Sequence, residues 1–161
     1  MATVVSSLVQ VHVVRRNATE AEWEHLLLRR SVSEAVYPLL WQVVTGTIRS
    51  SETAVHAASR ELIEETALTA EAMYVLPTVS SFYSQHADSI VHVPVFGAFV
   101  SAEASVTLSH EHSEYRWAKA TDAVNTLVIP AQQGATRLFE SLIHTVIGTQ
   151  SFDSIYKIDA M

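Results

Sequence analysis

Val9, Val11 and Val13 alternate with the polar residues Gln10 and His12. That period of two predicts a half-buried first strand. Asn17 to Glu22 is a polar interruption, and Trp23 to Leu28 resumes as a second strand. A loop over Arg29 to Pro38 leads into the segment WQVVT, a short strand starting at Trp41 and running into Gly46. Thr53 to Thr66 has high helix propensity, with Ala54, Ala57, Ala58, Leu62 and two terminal glutamates. The alanines leave one side of that helix free of bulk, as close packing of helix on sheet requires.

Further along, Met73 to Tyr83 and Ile90 to Val100 read as the two longest later strands. Pro94 inside the second argues for an edge position or a bulge, because proline cannot donate to a ladder. A short strand at Tyr115 to Ala118, a helical turn over Thr121 to Leu127 and an amphipathic helix over Gln132 to Ile147 follow. Gly148 to Met161 carries no pattern that places it. Strands, helix, strands, helix is the order of an α/β (α+β) domain, a mixed sheet with helices packed on its faces.

The chain has 161 residues, 48% hydrophobic and 17% charged, enough for one domain over residues 1–161 with a proper core. No internal repeat, low-complexity tract or linker divides it. The N-terminal apolar stretch is interrupted by Ser6, Ser7, Gln10 and His12 and carries its arginine pair, Arg15 and Arg16, after it. A secretory signal needs the charge first, so this segment reads as strand. No run approaches the roughly 18 uninterrupted apolar residues of a membrane span. The expectation is a soluble cytoplasmic protein without a membrane partner.

Ten Lys and Arg stand against seventeen Asp and Glu, a formal charge of −7. Such a surface repels polyanions, which disfavours a duplex nucleic acid partner, while a small nucleotide remains open if a bound cation reverses the local field. The absence of cysteine excludes disulfides, thiolate metal sites and thiol nucleophiles. Net charge says nothing about oligomeric state.

The chemistry concentrates in 23 residues from Gly46 to Leu68: Gly, five residues, Glu52, seven residues, then RELIEETAL from Arg60. On a helix Glu61, Glu64 and Glu65 are related as i, i+3 and i+4 and share about 100° of arc. Like charges so placed destabilise an isolated helix, and the macrodipole disfavours anions near its C-terminus. The arrangement makes physical sense if a cation occupies that face, and hard oxygen ligands suit Mg²⁺ or Mn²⁺. Each glutamate alone is an ordinary solvated helix residue. Six specified residues at fixed offsets arise by chance on the order of once in ten million starts.

This pattern resembles the Nudix box, the signature of metal-dependent hydrolases that cleave a diphosphate bond. The resemblance implies an α/β/α sandwich with a mixed sheet, with the box as loop, helix and loop. It implies that Gly46 starts the loop and contributes to substrate binding, that Glu52 supports the site, and that Arg60 orients Glu61. Glu61, Glu64 and Glu65 would hold metal, with Arg60, Glu61 and Glu64 among the catalytic groups. Family members often recruit a further base from a distant loop. HEHSE, from His110 to Glu114, is the source here, with Glu111 the candidate and Glu114 the runner-up. His110 and His112 lack a partner pair with zinc spacing, so they read as ordinary turn residues before metal ligands.

Two departures from the family pattern stand out. Ala67 occupies the place of a glycine that ends the helix in a left-handed conformation, at a cost of roughly 1 kcal/mol. WQVVTG, from Trp41 to Gly46, lacks the double glycine common before the box. Together with the later segment from Glu111 to Trp117, it is similar to the branch containing dihydroneopterin triphosphate and (deoxy)nucleoside triphosphate pyrophosphohydrolases. That likeness implies a purine- or pterin-like triphosphate split into monophosphate and pyrophosphate. Gln42 would hydrogen-bond the ring and Trp41 would stack on it, as Phe82 or Tyr83 also could, although core packing is the default for these aromatics. The alternatives are cleavage of dinucleoside polyphosphates, ADP-ribose or nucleotide sugars, and a non-catalytic nucleotide-sensing module.

Overall fold

The computed structural model describes residues 1–19 and 21–159. Its first strands are β1 (Thr3–Val5), β2 (Leu8–Arg16), β3 (Trp23–Arg30), β4 (Trp41–Gln42) and β5 (Val44–Thr47). Helix α1 (Ala54–Thr66) follows, then β6 (Ala72–Ser84), β7 (Ser89–Phe99), β8 (His112–Ala118), α2 (Ala120–Thr126), α3 (Pro130–Thr145) and α4 (Gln150–Tyr156). The expected N-terminal strand is thus two strands broken at Ser6 and Ser7, and the expected strand from Trp41 is two strands broken at Val43.

The strands form one eight-stranded mixed sheet with β2 as its hub. β2 runs parallel to β7, pairing Gln10–Val14 with Val95–Phe99. On its other side it pairs antiparallel with β5 through Leu8 to Val11, then with β3 through Val14 to Arg16. The sheet therefore divides beyond β2, with β5 on one branch and β3, β8 and β4 on the other. Val43 is the single residue by which the chain crosses between them. Its backbone N–H has no strand to bond and instead donates to Gln132 Oε1 on α3, at 3.2 Å.

Both faces of this sheet are covered. Beneath α1, Val9, Val11, Val13, Leu26, Leu28 and Val44 pack on Ala57, Ala58 and Leu62, as close helix-on-sheet packing demands. On the opposite face Val14, Tyr74, Leu76 and Val95 pack on Ala135 and Phe139 of α3. Gly97 makes that approach possible, since a Cβ there would lie 2.6 Å from the Phe139 ring. A third cluster joins Leu27, Val43, Ala118, Ala123 and Leu127 under α2.

The first strand departs from expectation for this reason. β2 is buried on both faces from Val9 to Val14, so Gln10 and His12 face α3 rather than water. Ser80 Oγ donates to Gln10 Oε1 at 3.3 Å, and Gln10 Nε2 donates to His12 Nε2 at 2.7 Å. His12 Nδ1 lies 3.3 Å from Thr136 Oγ1, whose own proton goes to the Gln132 carbonyl. Alternation there records polar residues with buried partners, not a wet face.

β6 and β7, the two long strands expected, pair as an antiparallel hairpin, and Pro94 sits at a bulge rather than an edge: the register shifts on β6 between Val75 and Val79, and Val79 pairs with Pro94. Phe82 and Tyr83 lie at the far end of β6, flanked only by β7, and are exposed, so the core position expected of them is not realised. The tail left unplaced by sequence forms α4 as far as it is described. Phe152 and Tyr156 pack against the Tyr74 cluster, and the Ile158 N–H donates to the Met73 carbonyl at 2.9 Å. No helix among the described residues is long and apolar enough to cross a membrane.

Candidate active site

The loop between β5 and α1 is built around Arg60. Its Nε and Nη2 donate to the two oxygens of Glu52, each at 2.8 Å, and Nη2 also donates to the Thr47 carbonyl at 2.8 Å. Nη1 donates to Glu61 Oε1 at 2.7 Å and to Glu64 Oε2 at 3.0 Å. Five acceptors hold the guanidinium in one place. The hydrogen bonds from Arg60, with that from the Arg49 backbone N–H, lower the Glu52 carboxyl to about 2. Glu52 thus ties the loop to the helix.

α1 begins where Thr53 Oγ1 accepts from the His56 N–H, and it ends at Ala67, which is left-handed at φ 58°. Beyond it the carbonyls of Glu65 and Thr66 accept from the Ser109 and Thr107 N–H groups, at 3.2 and 2.9 Å. Those bonds satisfy the helix terminus and bring the distant loop before β8 onto the site. Ser31, just after β3, braces the same loop by donating from its N–H to the Glu111 carbonyl and from its hydroxyl to the His110 carbonyl, both at 2.8 Å.

The three box glutamates occupy different environments. Glu65 is 3% exposed; burial first, then the charges of Glu61 and Glu111, push its carboxyl up to about 9. Its Oε2 has no hydrogen-bond partner. Glu61 stands beside Gly46, which lies within β5 rather than at the start of the loop and touches the Glu61 carboxylate directly. Glu64 is 46% exposed and held by Arg60 and by Arg49 Nη2, at 2.9 and 3.1 Å from its two oxygens. Among the described residues no three acidic or histidine side chains converge as a metal-holding group. Glu61 is ion-paired with Arg60, and Glu64 with Arg60 and Arg49. The residues nevertheless fit a hard divalent cation: an all-oxygen donor set, a buried carboxylate oxygen without a partner, and a glycine that leaves room for Glu61.

Glu111, half-buried, is close enough for its charge to act on Glu65. Glu114, by contrast, sits on β8 paired with Arg29 at 3.0 Å and is exposed. His110 is exposed, whereas His112 is buried beside Glu65, its imidazole lowered to about 4 by burial and by Arg30. Gln42 is buried with Nε2 3.2 Å from His112 Nε2. Trp41 packs in the cluster under α2, with Arg116 4.9 Å over its ring, away from the glutamates. Arg49, Arg30 and Ser31 escaped sequence reasoning. Arg49 had a signal, a second cation besides Arg60 in a motif rich in acidic residues; Arg30 and Ser31 reach the site only through tertiary contacts.

A family model described as NUDIX domain matches residues 7–142. An octanoyltransferase of Myxococcus xanthus is 32% identical over 127 residues, 74% of this chain, and the chain spans about a third (32%) of that protein's length. An Ap4A hydrolase of C. elegans has a similar structure, with TM-score 0.72 at 22% identity over 86% of this chain and 97% of that one. The dihydroneopterin triphosphate pyrophosphohydrolase of E. coli gives TM-score 0.63 at 24% identity over 83% and 94%. These likenesses carry the fold and do not single out the pterin branch. The family match spans the Arg60 loop, α1 and the Glu111 turn, and the chain belongs to the Nudix family.

Proposed function

We propose that this chain hydrolyses a nucleoside- or pterin-type triphosphate, releasing pyrophosphate and a monophosphate with the aid of Mg²⁺ or Mn²⁺. The observation that carries the reading is the buried Glu65 carboxyl, on which the charges of Glu61 and Glu111 act and whose Oε2 is unpartnered, beside the frame that Arg60 makes with Glu52, Glu61 and Glu64. A divalent cation there supplies charge neutralisation for phosphate oxygens during in-line attack by water. Glu61, Glu64 and Glu65 are its ligands in this reading. Arg60 keeps Glu61 oriented, and Gly46 serves by making space for it. Glu111 is the group placed to take the proton of the attacking water. Residues 1–161 act as one unit, with a small-molecule anhydride as partner and no role for duplex nucleic acid.

The test is hydrolysis by purified protein, with and without Mg²⁺, of nucleoside and deoxynucleoside triphosphates, dihydroneopterin triphosphate, ADP-ribose and diadenosine polyphosphates. Pyrophosphate and orthophosphate are assayed separately. Metal-dependent pyrophosphate release from a triphosphate is expected, and Glu61→Gln and Glu65→Gln should each reduce turnover by orders of magnitude in folded protein. Cleavage of only the dinucleotides or ADP-ribose would overturn the substrate class. Unchanged turnover in both variants would overturn the site.

A further inference from the structure

His112 and Gln42 form a buried polar pair that the hydrolytic reading leaves unused. His112 opens β8 with its side chain 0% exposed, between Gln42 of β4 and Glu65 of α1. Strand pairing fixes both residues: Gln42 is in register with Leu28 on β3, and His112 with Arg30 on the same strand. On one side Gln42 Nε2 stands 3.2 Å from His112 Nε2. On the other, His112 Nδ1 is 3.9 Å from Glu65 Oε2, and neither of these buried atoms has another hydrogen-bond partner.

The amide nitrogen of Gln42 can only donate, so His112 Nε2 is the accepting, proton-free nitrogen. The ring proton is therefore on Nδ1, the side that faces Glu65. With Glu65 ionised, as its role as a metal ligand requires, these are two unpartnered buried atoms of opposite character facing each other, which is rare in native proteins. A closure of about 1 Å by either side chain brings them to hydrogen-bond distance.

Resting on the reading of Glu65 as a metal ligand, we propose that Gln42 and His112 are positioning residues. Gln42 fixes the imidazole as its Nδ1–H tautomer, and that N–H orients the Glu65 carboxylate toward the diphosphate site. The assignment replaces two others. The Gln42 amide donor is engaged by the protein and so is not the group that reads a substrate ring. His112 is not a metal ligand, because one nitrogen carries a proton and the lone pair of the other is taken by Gln42. Partners of this kind typically tune metal affinity or activity by about 10–100-fold.

The experiment uses the whole chain labelled with ¹⁵N-histidine, with the His112 signals identified by their loss in His112→Asn. The free protein should show His112 protonated on Nδ1, and Gln42→Met should turn that into a mixed tautomer. Mn²⁺ affinity, read by electron paramagnetic resonance, should fall about 10–100-fold in Gln42→Met and His112→Phe. His112→Asn, whose amide nitrogen overlays Nδ1, should restore most of it. On an active substrate kcat should fall while KM stays within about twofold. An Nε2–H tautomer in the free protein would overturn the proposal, as would a raised KM with unchanged kcat in Gln42→Met. Tautomer and Mn²⁺ affinity are read without catalysis, so a silent substrate panel would overturn the hydrolytic reading and leave these outcomes to decide the pair. If Gln42→Met fails to fold, unaltered Mn²⁺ affinity in a folded His112→Phe is sufficient to overturn it.

Discussion

A β-carbon at position 46 would stand 1.9 Å from the carboxyl carbon of Glu61. Gly46 lies in β5, paired with Val9, and its φ is not left-handed. Space, not backbone freedom, is what the missing side chain provides. Any other residue must push Glu61 off Arg60 or shift the strand away from α1. Gly46→Ala should therefore leave a folded protein whose turnover is reduced by about 10²-fold, the typical cost of a displacement near 1 Å at a reacting centre. Circular dichroism and steady-state kinetics on the same preparation decide it; wild-type turnover would mean that Glu61 has slack the geometry does not reveal.

Ala67 at φ 58° and Ser51 at φ 65° occupy left-handed backbone without being glycine, and both are exposed. A Cβ in that conformation costs about 1–2 kcal/mol. Glycine gives back about 0.4–1 kcal/mol through greater freedom of the unfolded chain. The first effect is the larger, so Ala67→Gly and Ser51→Gly should each stabilise modestly and raise Tm by about 1–4 °C in a chain of this size. A fall in Tm for either variant, measured by calorimetry, would contradict the assigned backbone conformation.

Arg49 is 60% exposed and bonds both oxygens of Glu64, the most exposed of the three box carboxylates. A cation that takes Glu64 as ligand must displace this contact. Exposed ion pairs contribute about 0.2–1 kcal/mol, so Arg49→Gln should tighten Mn²⁺ binding by about 1.5–5-fold. Raising ionic strength should narrow the gap between variant and wild type as the pair is screened. Weaker Mn²⁺ binding in the variant would show instead that Arg49 supports the metal-bound state.

Local patterns carried much of this fold and long-range ones did not. Helix propensity placed α1 to within one residue of its observed start, because the alanines, Leu62 and the terminal glutamates are all local. The spacing of the motif grouped Arg60 with Glu52, Glu61 and Glu64, which the structure joins by hydrogen bonds. It could not distinguish Glu65 from Glu64, since burial of the first depends on the loop from Thr107 to Glu111 arriving from another part of the chain. Gln10 and His12 looked solvent-facing because alternation reports polarity, and only the arrival of α3 shows that they are paired. Gln42 and His112 are 70 residues apart and carry no motif that joins them. Trp41 packs in the cluster under α2 because it alternates on β4 with Gln42, which takes the side of His112, and which side faces the site is a matter of long-range pairing.

His12 ties acid stability to that buried network. It is 1% exposed, and burial, then the nearby His25, lowers its imidazole to about 3. Unfolded, the same group titrates near 6.5. Between these values the unfolded chain binds a proton that the folded chain refuses, so stability rises with pH through this window. The His12 contribution is complete above about pH 6.5 and lost as pH falls toward 3, at about 1.4 kcal/mol per pH unit. His112, lowered to about 4, acts in the same sense, while Glu65, raised to about 9, acts oppositely between its unfolded value and 9. His12→Gln isolates one member of this sum. Urea denaturation at pH 7 and pH 5 should show wild type losing about 2 kcal/mol more than the variant over that interval. Equal losses would mean that His12 takes up its proton in the folded state, and that the chain from Ser80 through Gln10 to Thr136 yields before the protein unfolds.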